Sequence, residues 1–329
     1  MSSMKAVVIT EPGGPEVLEI QDRPIPEPGL GEIRVEVCAS SLNRADISQR
    51  MGRYPAPAGS SPDVPGLEYA GEVDAIGPGA TLWKRGDRVM GIVGGGGHAQ
   101  HVCVHEREAI AVPQRLTWEE AAAIPEVFLT AYDAIHNRLH GTAGETLVIH
   151  AVGSGVGTAA LQIAAVYGIQ TIGTSRSDEK LERAAALGLD NSVNTAEEGW
   201  EDDVLKLTRG EGVETILDLL GGAYLAGNIK ILKSRGRIVV VGLTSGSTAE
   251  LDLGAVLRKR LQIQGTVLRA RPLEEKISLS RDFSNSMLSF LESGRLRPVV
   301  DRVMSFDQIA EAHRHMEENA NFGKIVLRW

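Results

Sequence analysis

The residues with the clearest capacity for chemistry form a glycine-rich loop near the middle of the chain. An apolar run over residues 146–150 leads into Ala-Val-Gly-Ser-Gly-Val-Gly-Thr at residues 151–158, and a helix-like apolar stretch follows. Glycines let a backbone approach a pyrophosphate, and a helix N-terminus offers unpaired N–H groups to an anion. A strict G-x-G-x-x-G motif would need glycine where Thr158 stands. The strand–turn–helix context still predicts a dinucleotide site, with a simple tight turn as the alternative. Its predicted loop contacts are Ser154, Gly155, Val156 and Gly157.

The end of the next predicted strand bears on which dinucleotide would bind. Sites for NAD place Asp or Glu there, where it bonds the 2′-hydroxyl of the ribose. This chain has Arg176 and Ser177 at that point, with Lys180 one helical turn further on. Two cations and a small hydroxyl suit a dianionic 2′-phosphate, which takes charge-assisted hydrogen bonds. The pattern predicts NADPH, with solvated surface charges as the alternative, and places Asp178 in the first turn of a helix.

The loop lies in a region where apolar strands alternate with helices. A capping box, Thr117-Trp118-Glu119-Glu120, predicts the start of a helix that continues to about His140. Such alternation predicts a parallel sheet covered on both faces. The predicted strands cover residues 146–150, 170–174, 213–217, 237–241 and 261–267, and the predicted helices cover 156–167, 178–187 and 223–232.

The chain before about residue 115 follows another pattern. Short alternating runs, such as residues 34–39 and 88–93, are separated by breakers such as Gly-Pro-Gly at 77–79. This pattern predicts a β-rich, barrel-like domain. After Pro272 a helix, a strand, a second helix and a last strand over residues 324–327 are expected. This tail could extend the sheet domain or complete the barrel, and the pattern alone does not decide.

Composition limits the class of protein. The chain has 329 residues, a hydrophobic content of 43% and a net charge of −9, which indicates a globular protein with two cores. No basic stripe and no apolar run of membrane length is visible, so neither nucleic acid nor a membrane is expected as a partner. Its N-terminus lacks the apolar region of a signal peptide. The two cysteines, Cys38 and Cys103, exclude a disulfide framework and are expected to be buried thiols. A cytoplasmic protein is predicted.

Several segments, in the same order along the whole chain, resemble the zinc-independent quinone oxidoreductases of the medium-chain dehydrogenase/reductase superfamily. Residues 42–46 (Leu-Asn-Arg-Ala-Asp) and 94–100 (Gly-Gly-Gly-Gly-His-Ala-Gln) are most similar to the p53-inducible quinone oxidoreductase subgroup. The other segments that carry the resemblance are residues 39–46, 66–73, 84–89, 121–126 and 321–327.

The resemblance implies an α/β fold with a doubly wound Rossmann sheet and a β-rich, GroES-like barrel domain. Residues 1–125 and 270–329 would form the GroES-like substrate and catalytic domain, and residues 126–269 the NADPH-binding domain. The family places the active site in the cleft between the domains. It also forms homodimers or homotetramers, commonly through the edge of the nucleotide-domain sheet.

The resemblance also bears on metal. Zinc alcohol dehydrogenases of the superfamily carry cysteine where Asn43 stands and histidine where Leu67 stands, so of the expected ligand set only Glu68 remains. One carboxylate does not hold a catalytic zinc, and no metal is predicted. His98 and His101 lack convergent partners and are interpreted as surface or loop residues.

Without a metal ion to polarise a reluctant carbonyl, the substrate must already be electrophilic. A quinone, or an alkene conjugated to a carbonyl, could take a hydride from the nicotinamide C4 directly. The resemblance places Asn43 and Asp46 at the nicotinamide end of the site. It places Tyr54 near substrate, where the phenol could donate to an oxygen that gains negative charge. The alternatives are a turn-forming Asn43, an Asp46 that holds a local network, and a Tyr54 that only packs.

Further cofactor contacts follow from the resemblance, most of them at strand ends where open α/β sheets bind ligands. The position after Asn194 is often tyrosine in the family and is Thr195 here, so that contact is lost or replaced. The sequence thus predicts an NADPH-dependent quinone oxidoreductase. An NADPH-dependent enoyl or enone reductase and a non-catalytic NADPH-binding protein are the alternatives. The further predicted contacts are Thr130, Asn194, Gly242, Leu243, Thr244, Thr266, Val267, Leu268, Phe322, Gly323 and Lys324.

Overall fold

The computed structural model describes residues 2–329, which form two compact units. Unit 1 consists of the described residues up to Leu129 together with Leu268–Trp329, and unit 2 is Thr130–Val267. Within the described residues, no helix is long and apolar enough to cross a membrane.

The strands of the described chain are, in order, β1 (Ser3–Ile9), β2 (Leu18–Pro24), β3 (Glu32–Ser41), β4 (Glu68–Ile76), β5 (Arg88–Ile92), β6 (His101–His105), β7 (Ile110–Ala111), β8 (Thr146–Ile149), β9 (Gln170–Ser175), β10 (Asn191–Asn194), β11 (Val213–Asp218), β12 (Leu232–Val240), β13 (Gln262–Gly265), β14 (Val300–Ser305) and β15 (Lys324–Arg328).

The α-helices of the same residues are α1 (Arg44–Arg50), α2 (Trp118–Ala122), α3 (Pro125–Tyr132), α4 (Gly155–Tyr167), α5 (Asp178–Ala185), α6 (Trp200–Leu207), α7 (Leu225–Ile231), α8 (Leu253–Lys259), α9 (Leu273–Glu292) and α10 (Ile309–Glu317). Short 3₁₀ turns cover Pro15–Val17, Gly222–Tyr224 and Phe306–Gln308, and a π-helical segment covers Asp133–Arg138.

Unit 2 contains a six-stranded sheet in the order β10-β9-β8-β11-β12-β13, and every neighbouring pair is parallel. Numbered from β8, this order is 3-2-1-4-5-6, the doubly wound arrangement of dinucleotide-binding sheets. Central strands supply buried β-branched side chains such as Val148, Ile216 and Ile238, as expected for a sheet covered on both faces. The predicted parallel sheet is confirmed.

Unit 1 contains a largely antiparallel sheet in the order β14-β15-β3-β4-β5-β7, with β6 paired to β3, and a separate β1-β2 hairpin. Inward residues of β3 alternate along the strand, with Ile33, Val35 and Val37 buried. The tail returns to this sheet because β15 pairs antiparallel with β3, Val326 opposite Ser41. The predicted fold class, a Rossmann sheet with a GroES-like barrel domain, is confirmed.

The predicted helical stretch from Thr117 to about His140 is helical over most of its length, but it is divided into separate segments. Thr117 caps α2 with its side chain accepting from the Glu120 backbone N–H, as the capping box requires. The helix then stops at Ala122, α3 begins at Pro125, and the last turns are π-helical. Proline has no N–H and disfavours helical backbone in the residue before it, so Pro125 restarts the helix rather than continuing it.

Candidate active site

The glycine loop of unit 2 connects the end of β8 to the start of α4. Ser154 is the N-cap of α4, and its hydroxyl accepts from the Gly157 N–H at 3.0 Å. A Cβ on Gly157 would lie 2.6 Å from the backbone oxygens of Ala151 and Val152, so only glycine lets the helix start this close to the strand. Thr158 is buried and donates to the Gly155 carbonyl at 3.0 Å. The loop therefore accommodates threonine where the strict motif has glycine.

At the end of β9, the residues predicted to contact a 2′-phosphate lie around the N-terminus of α5. Ser177 is the N-cap of this helix, Arg176 is exposed and Lys180 is partly exposed. Asp178 lies in the first helical turn, as predicted. Its carboxylate accepts from the Asn194 side-chain amide at 2.6 Å, so the acid nearest this position is held by a residue at the end of β10.

Thr195 follows β10 and is contacted by an aromatic residue from a different element. The Tyr224 hydroxyl donates to Thr195 Oγ1 at 3.2 Å. The Tyr224 ring is stacked on Trp200 with a centroid separation of 5.5 Å and meets the buried His150 edge-on at 5.0 Å. An aromatic side chain is thus present beside Thr195 even though the residue after Asn194 is not aromatic.

The remaining unit 2 residues named as cofactor contacts lie at or beyond strand ends. Gly242, Leu243 and Thr244 follow β12, and Leu243 is exposed. Thr266 follows β13, and its hydroxyl donates to the Asp133 carboxylate at 2.7 Å, while Thr130 is buried in α3. Val267 is exposed; Leu268, at the start of the second stretch of unit 1, is buried.

In unit 1, β4 and β15 bring Glu68 and Lys324 together in a buried network. The Lys324 ammonium donates to Glu68 Oε1 at 2.9 Å, to Asn43 Oδ1 at 2.6 Å and to the Leu42 carbonyl at 2.9 Å, which uses all three of its donors. Glu68 Oε1 also accepts from Ser41 Oγ at 2.6 Å and from Asn43 Nδ2 at 2.8 Å. Both ionic side chains are almost completely buried, at 0% and 4% exposure.

Asn43 and Asp46, the predicted residues of the nicotinamide end, adjoin this network at the start of α1. Asn43 is the N-cap of the helix, and its backbone N–H donates to Asp46 Oδ2 at 2.8 Å. Asp46 Oδ1 accepts from the Gly66 N–H at 2.9 Å. Burial raises the pKa of Asp46 to about 6 against the lowering effect of these two N–H donors. Asp46 therefore holds two backbone segments together.

Phe322 and Gly323 lead into Lys324 from the tail. Phe322 is buried and its N–H donates to Asp301 Oδ1 at 3.0 Å. Gly323 has φ +87°, and a Cβ there would lie 2.2 Å from the Val299 carbonyl oxygen, so a glycine is required for the turn that presents Lys324.

Tyr54 lies after α1 and is positioned by Arg269, a residue that the sequence reasoning did not single out. The guanidinium of Arg269 lies over the Tyr54 ring, 4.9 Å from its centroid, and donates to the Tyr54 carbonyl at 3.2 Å. It also donates to Gln49 Oε1 at 2.6 Å and to the Gly94 carbonyl at 2.7 Å. Partial burial raises the pKa of Tyr54, so its phenol stays protonated and can donate.

Glu126 was likewise not singled out, although it is an isolated acid in the apolar run Ala-Ala-Ala-Ile-Pro-Glu-Val-Phe-Leu at 121–129. Its backbone N–H donates to Glu68 Oε2 at 2.8 Å. Among the described residues, its own Oε2 is buried and makes no hydrogen bond. The one signal in the sequence was a charged residue where the helix is otherwise apolar.

Of the two histidines interpreted as surface or loop residues, His98 lies in the loop before β6 but is not at the surface, and His101 is a partly exposed strand residue. His98 is fully buried, and its Nδ1 lies 3.0 Å from Ser40 Oγ. Burial lowers the pKa of His98 to about 3, so the ring is neutral. His101 begins β6, with Nε2 3.6 Å from the Asp74 carboxylate. The glycine-rich segment is a loop, as its composition indicates, and it passes through the interior because Gly66 and Gly97 leave room for it.

The cysteines are unpaired and partly rather than fully buried. Burial raises the pKa of Cys38 to about 11 and that of Cys103 to about 12, so neither is a thiolate near neutral pH. Neither thiol is poised as a nucleophile.

Comparison with known proteins identifies the two units. The model of the alcohol dehydrogenase GroES-like domain matches residues 29–114, and that of the zinc-binding dehydrogenase domain matches residues 155–293. Human quinone oxidoreductase is 30% identical over 327 residues, which is 98% of this chain and 97% of that protein. The chain belongs to the quinone oxidoreductase family of the medium-chain dehydrogenase/reductase superfamily.

Two solved structures of this superfamily extend the comparison. A structure described as an NAD-dependent alcohol dehydrogenase has a TM-score of 0.89 and 38% identity, covering 99% of this chain and 100% of that one. The CurK enoyl reductase has a TM-score of 0.87 and 27% identity, covering 99% of each chain. The present chain is therefore an oxidoreductase of the superfamily, and its Rossmann sheet implies a nicotinamide cofactor.

Proposed function

We propose that the protein is a zinc-free, NADPH-dependent quinone reductase that passes a hydride directly to a quinone or a similar activated carbonyl. The observation that carries this proposal is the buried Glu68–Lys324 pair, because the Lys324 ammonium occupies the carboxylate that would otherwise be a candidate zinc ligand. A bound reduced nicotinamide supplies the hydride. The residues of the chain bind the acceptor, orient it and stabilise the charge that develops on its oxygen.

The residues present do not fit a catalytic zinc. Such a site needs three protein ligands and an open position. Asn43 and Leu67 stand where zinc-dependent members of the superfamily carry ligands, and the third candidate, Glu68, is occupied by the Lys324 ammonium and three further donors. Within residues 2–329 no group of three or more His, Cys, Asp and Glu side chains is placed to hold a metal ion. No step of the proposed reaction uses one.

The acceptor must then be electrophilic by itself, because only hydrogen bonds and fixed charges are available to polarise it. Tyr54 is the candidate donor in unit 1, since its phenol is protonated and partly exposed. Arg269 stacks on the ring and anchors the loop backbone, which limits the orientations of the hydroxyl. A quinone or conjugated carbonyl suits this limited assistance better than an unactivated ketone.

The glycine loop and the N-terminus of α5 support NADPH as the cofactor. The close approach of α4 to β8 at Gly157 and the N–H groups at the N-terminus of α4 suit a pyrophosphate. Arg176, Ser177 and Lys180 lie between the end of β9 and the first turn of α5, where a 2′-phosphate would bind, and the nearby Asp178 accepts a hydrogen bond from Asn194. One similar structure is described as NAD-dependent, so cofactor choice for this chain is argued from its own residues.

The experiment that tests the function is a steady-state panel with both NADPH and NADH. The acceptors are ortho- and para-quinones, enones, 2-enoyl thioesters and simple alcohol–ketone pairs, assayed before and after dialysis against a zinc chelator. We expect the highest kcat/KM with NADPH and a quinone, unchanged by the chelator. Turnover of alcohols that the chelator abolishes would overturn the proposal.

A second candidate function is enoyl or enone reduction, favoured by the likeness to the CurK enoyl reductase over nearly the whole of both chains. The hydride donor would be the same, and the acceptor carbon would be conjugated to a thioester or ketone. The same panel separates the two, because a preference for 2-enoyl thioesters over quinones in kcat/KM selects this candidate.

Tyr54→Phe should lower kcat about 10-fold, because the transition state loses one hydrogen-bond donor to an oxygen that is already electrophilic. The phenyl ring keeps its place against Arg269, so the dissociation constant of NADPH, measured by fluorescence titration, should not change. Tyr69→Phe is the matched control: it removes a buried hydroxyl that makes no hydrogen bond among the described residues. An unchanged kcat in Tyr54→Phe would remove Tyr54 from the site.

We also propose a homodimer formed through the β13 edge of the unit 2 sheet. β13 is an edge strand, and Leu253 and Leu257 of α8 are exposed by 70% and 76%. An open strand edge beside exposed leucines is suited to pairing with a second copy. Leu257→Glu should shift the protein toward the monomer in sedimentation velocity, whereas Leu82→Glu, at an exposed leucine of unit 1, should not. A wild-type monomer at micromolar concentration would contradict the proposal.

A further inference from the structure

The carboxyl group of Glu126 has an environment unlike that of any other acid in unit 1. Glu126 lies in the first turn of α3, directly after Pro125, and its backbone N–H donates to Glu68 Oε2 at 2.8 Å. Its Oε2 is buried without a hydrogen-bond partner among the described residues, although the side chain as a whole is partly exposed. Buried polar oxygens are rarely left unpaired, and an unpaired one in an enzyme indicates a functional role or an absent ligand.

The charges around Glu126 explain which form it takes. Five titratable groups face it: Glu68 on β4, Lys324 on β15, Asp46 in α1, Tyr54 after α1, and Arg269 before α9. The Lys324 ammonium spends its three donors on Glu68, Asn43 and the Leu42 carbonyl, so it attracts Glu126 through space but donates no hydrogen bond to it. Neighbouring carboxyl groups cannot all be ionised cheaply, and Glu126, whose buried Oε2 has no hydrogen-bond donor among the described residues, is the one that favours its protonated form.

The pKa of Glu126 reflects this arrangement. Burial is the main cause and the Glu68 charge the second, and together they raise the pKa of Glu126 to about 8. An acid with this pKa is mostly protonated at neutral pH and can still lose its proton in a reaction.

We propose that Glu126 is the proton donor that completes reduction of the acceptor oxygen. The inference rests on the proposed function, which supplies the hydride and its two electrons from the bound nicotinamide. The O–H bond of Glu126 breaks, an O–H bond forms on the acceptor oxygen, and a Glu126 carboxylate remains. Solvent returns the proton to that carboxylate before the next turnover. Reduced cofactor, acceptor and one proton thereby give oxidised cofactor and the two-electron-reduced acceptor.

The placement of Glu126 in unit 1 supports this role. The Arg269 side chain that stacks on Tyr54 is also one of the charged groups facing Glu126, so the predicted hydroxyl donor and the acid share one cation. Tyr54 is suited to donate a hydrogen bond throughout the reaction. Glu126 is suited to give up its proton, because the carboxylate it leaves is attracted by Arg269 and Lys324.

The dependence of kcat on pH tests the proposal. With NADPH and a quinone, wild-type kcat should fall above about pH 8, as the donor form of Glu126 is lost. Glu126→Gln should lower kcat at neutral pH about 100-fold. It should also abolish that alkaline limb. Glu126→Asp should keep a fall of kcat at alkaline pH and should have a higher kcat than Glu126→Gln. Glu120→Gln, which alters a solvent-exposed capping acid of α2, is the control for a mutation near α3 and should keep the wild-type profile.

A second readout does not depend on turnover. The infrared difference spectrum of the cofactor-free protein between pH values about one unit below and one unit above the pKa of Glu126 should contain the carbonyl band of a protonated carboxylic acid. Glu126→Gln should lack this band. Wild-type protein without it, or an alkaline limb that persists in Glu126→Gln, overturns the donor role alone. Absence of NADPH oxidation by wild type with every acceptor in the panel instead overturns the proposed function.

Discussion

Lys324→Met should lower the free energy of unfolding by about 3–5 kcal/mol, the usual effect of removing one partner from a buried ion pair. The substitution keeps most of the side-chain volume and removes the ammonium. Glu68 then remains fully buried with its charge uncompensated, and Glu126 lies beside it. Urea denaturation followed by circular dichroism measures the change. The exposed pair Lys5–Asp22 provides the control, because Lys5→Met should change stability by less than about 1 kcal/mol.

The double variant Lys324→Met with Glu68→Gln separates charge from packing. It removes the stranded carboxylate, and the amide oxygen introduced on β4 could still accept from Ser41 and Asn43, so much of the lost stability should return. A double variant no more stable than Lys324→Met would show that the loss came from packing. A single variant within about 1 kcal/mol of wild type would mean that the Glu68–Lys324 pair is not the centre of this network.

Under the proposed function, the same pair accounts for hydride transfer without a zinc ion on a scaffold shared with alcohol dehydrogenases. A lysine ammonium is a fixed cation with three donors and no capacity to bind a substrate oxygen once those donors are used. It keeps Asn43 and Glu68 in place. Other donors in unit 1 must then polarise the acceptor. In the proposed reaction these donors are the phenol of Tyr54 and the protonated carboxyl group of Glu126.

Features that depend on neighbours in sequence were predictable. The strand–loop–helix around Gly157 follows from local apolar runs and glycine positions, and Asp178 falls in the first turn of α5 because Ser177 is a good cap. Five of the six strands of unit 2 were predicted from their apolar runs. The sixth, β10, was missed because its four residues are mostly polar and exposed. The short, polar helices α1 and α6 were not predicted, because a helix of seven or eight residues has too few turns to show a clear apolar periodicity.

Features that depend on distant pairs were not predictable from local pattern. Lys324 meets a carboxylate 256 residues away and Glu126 one 58 residues away. Lys324 was therefore expected at the cofactor, not in a buried ion pair, and Glu126 was overlooked. The burial of His98 was not predicted, because a run of glycines is typical of surface loops, whereas this run lets the chain pass closely against Gly66. Only the assembled sheet of unit 1 brings these residues together.

Arg176→Ala with Lys180→Ala should reduce the preference for NADPH over NADH by about 100-fold, because each charge-assisted hydrogen bond to a phosphate contributes on the order of 1.5 kcal/mol at this exposed site. KM for NADPH should rise, and KM for NADH should stay within about 2-fold, since NADH carries no 2′-phosphate to lose. Initial rates with one quinone at saturation measure both constants. Ser177 is left intact so that α5 keeps its cap.

Arg183→Ala is the matched control on the same helix. Arg183 is exposed and lies 3.7 Å from the Glu179 carboxylate, so its removal changes the charge of α5 by one unit, without touching the predicted phosphate contacts. If long-range charge alone attracted the more anionic cofactor, Arg183→Ala would change the logarithm of the NADPH KM about half as much as the double variant does, because it removes one charge rather than two. Added salt would then weaken both effects together. Direct contacts predict no effect of Arg183→Ala. Equal increases in KM for NADPH and NADH in the double variant would contradict the 2′-phosphate site, because a residue that touches only that phosphate cannot affect a cofactor without it.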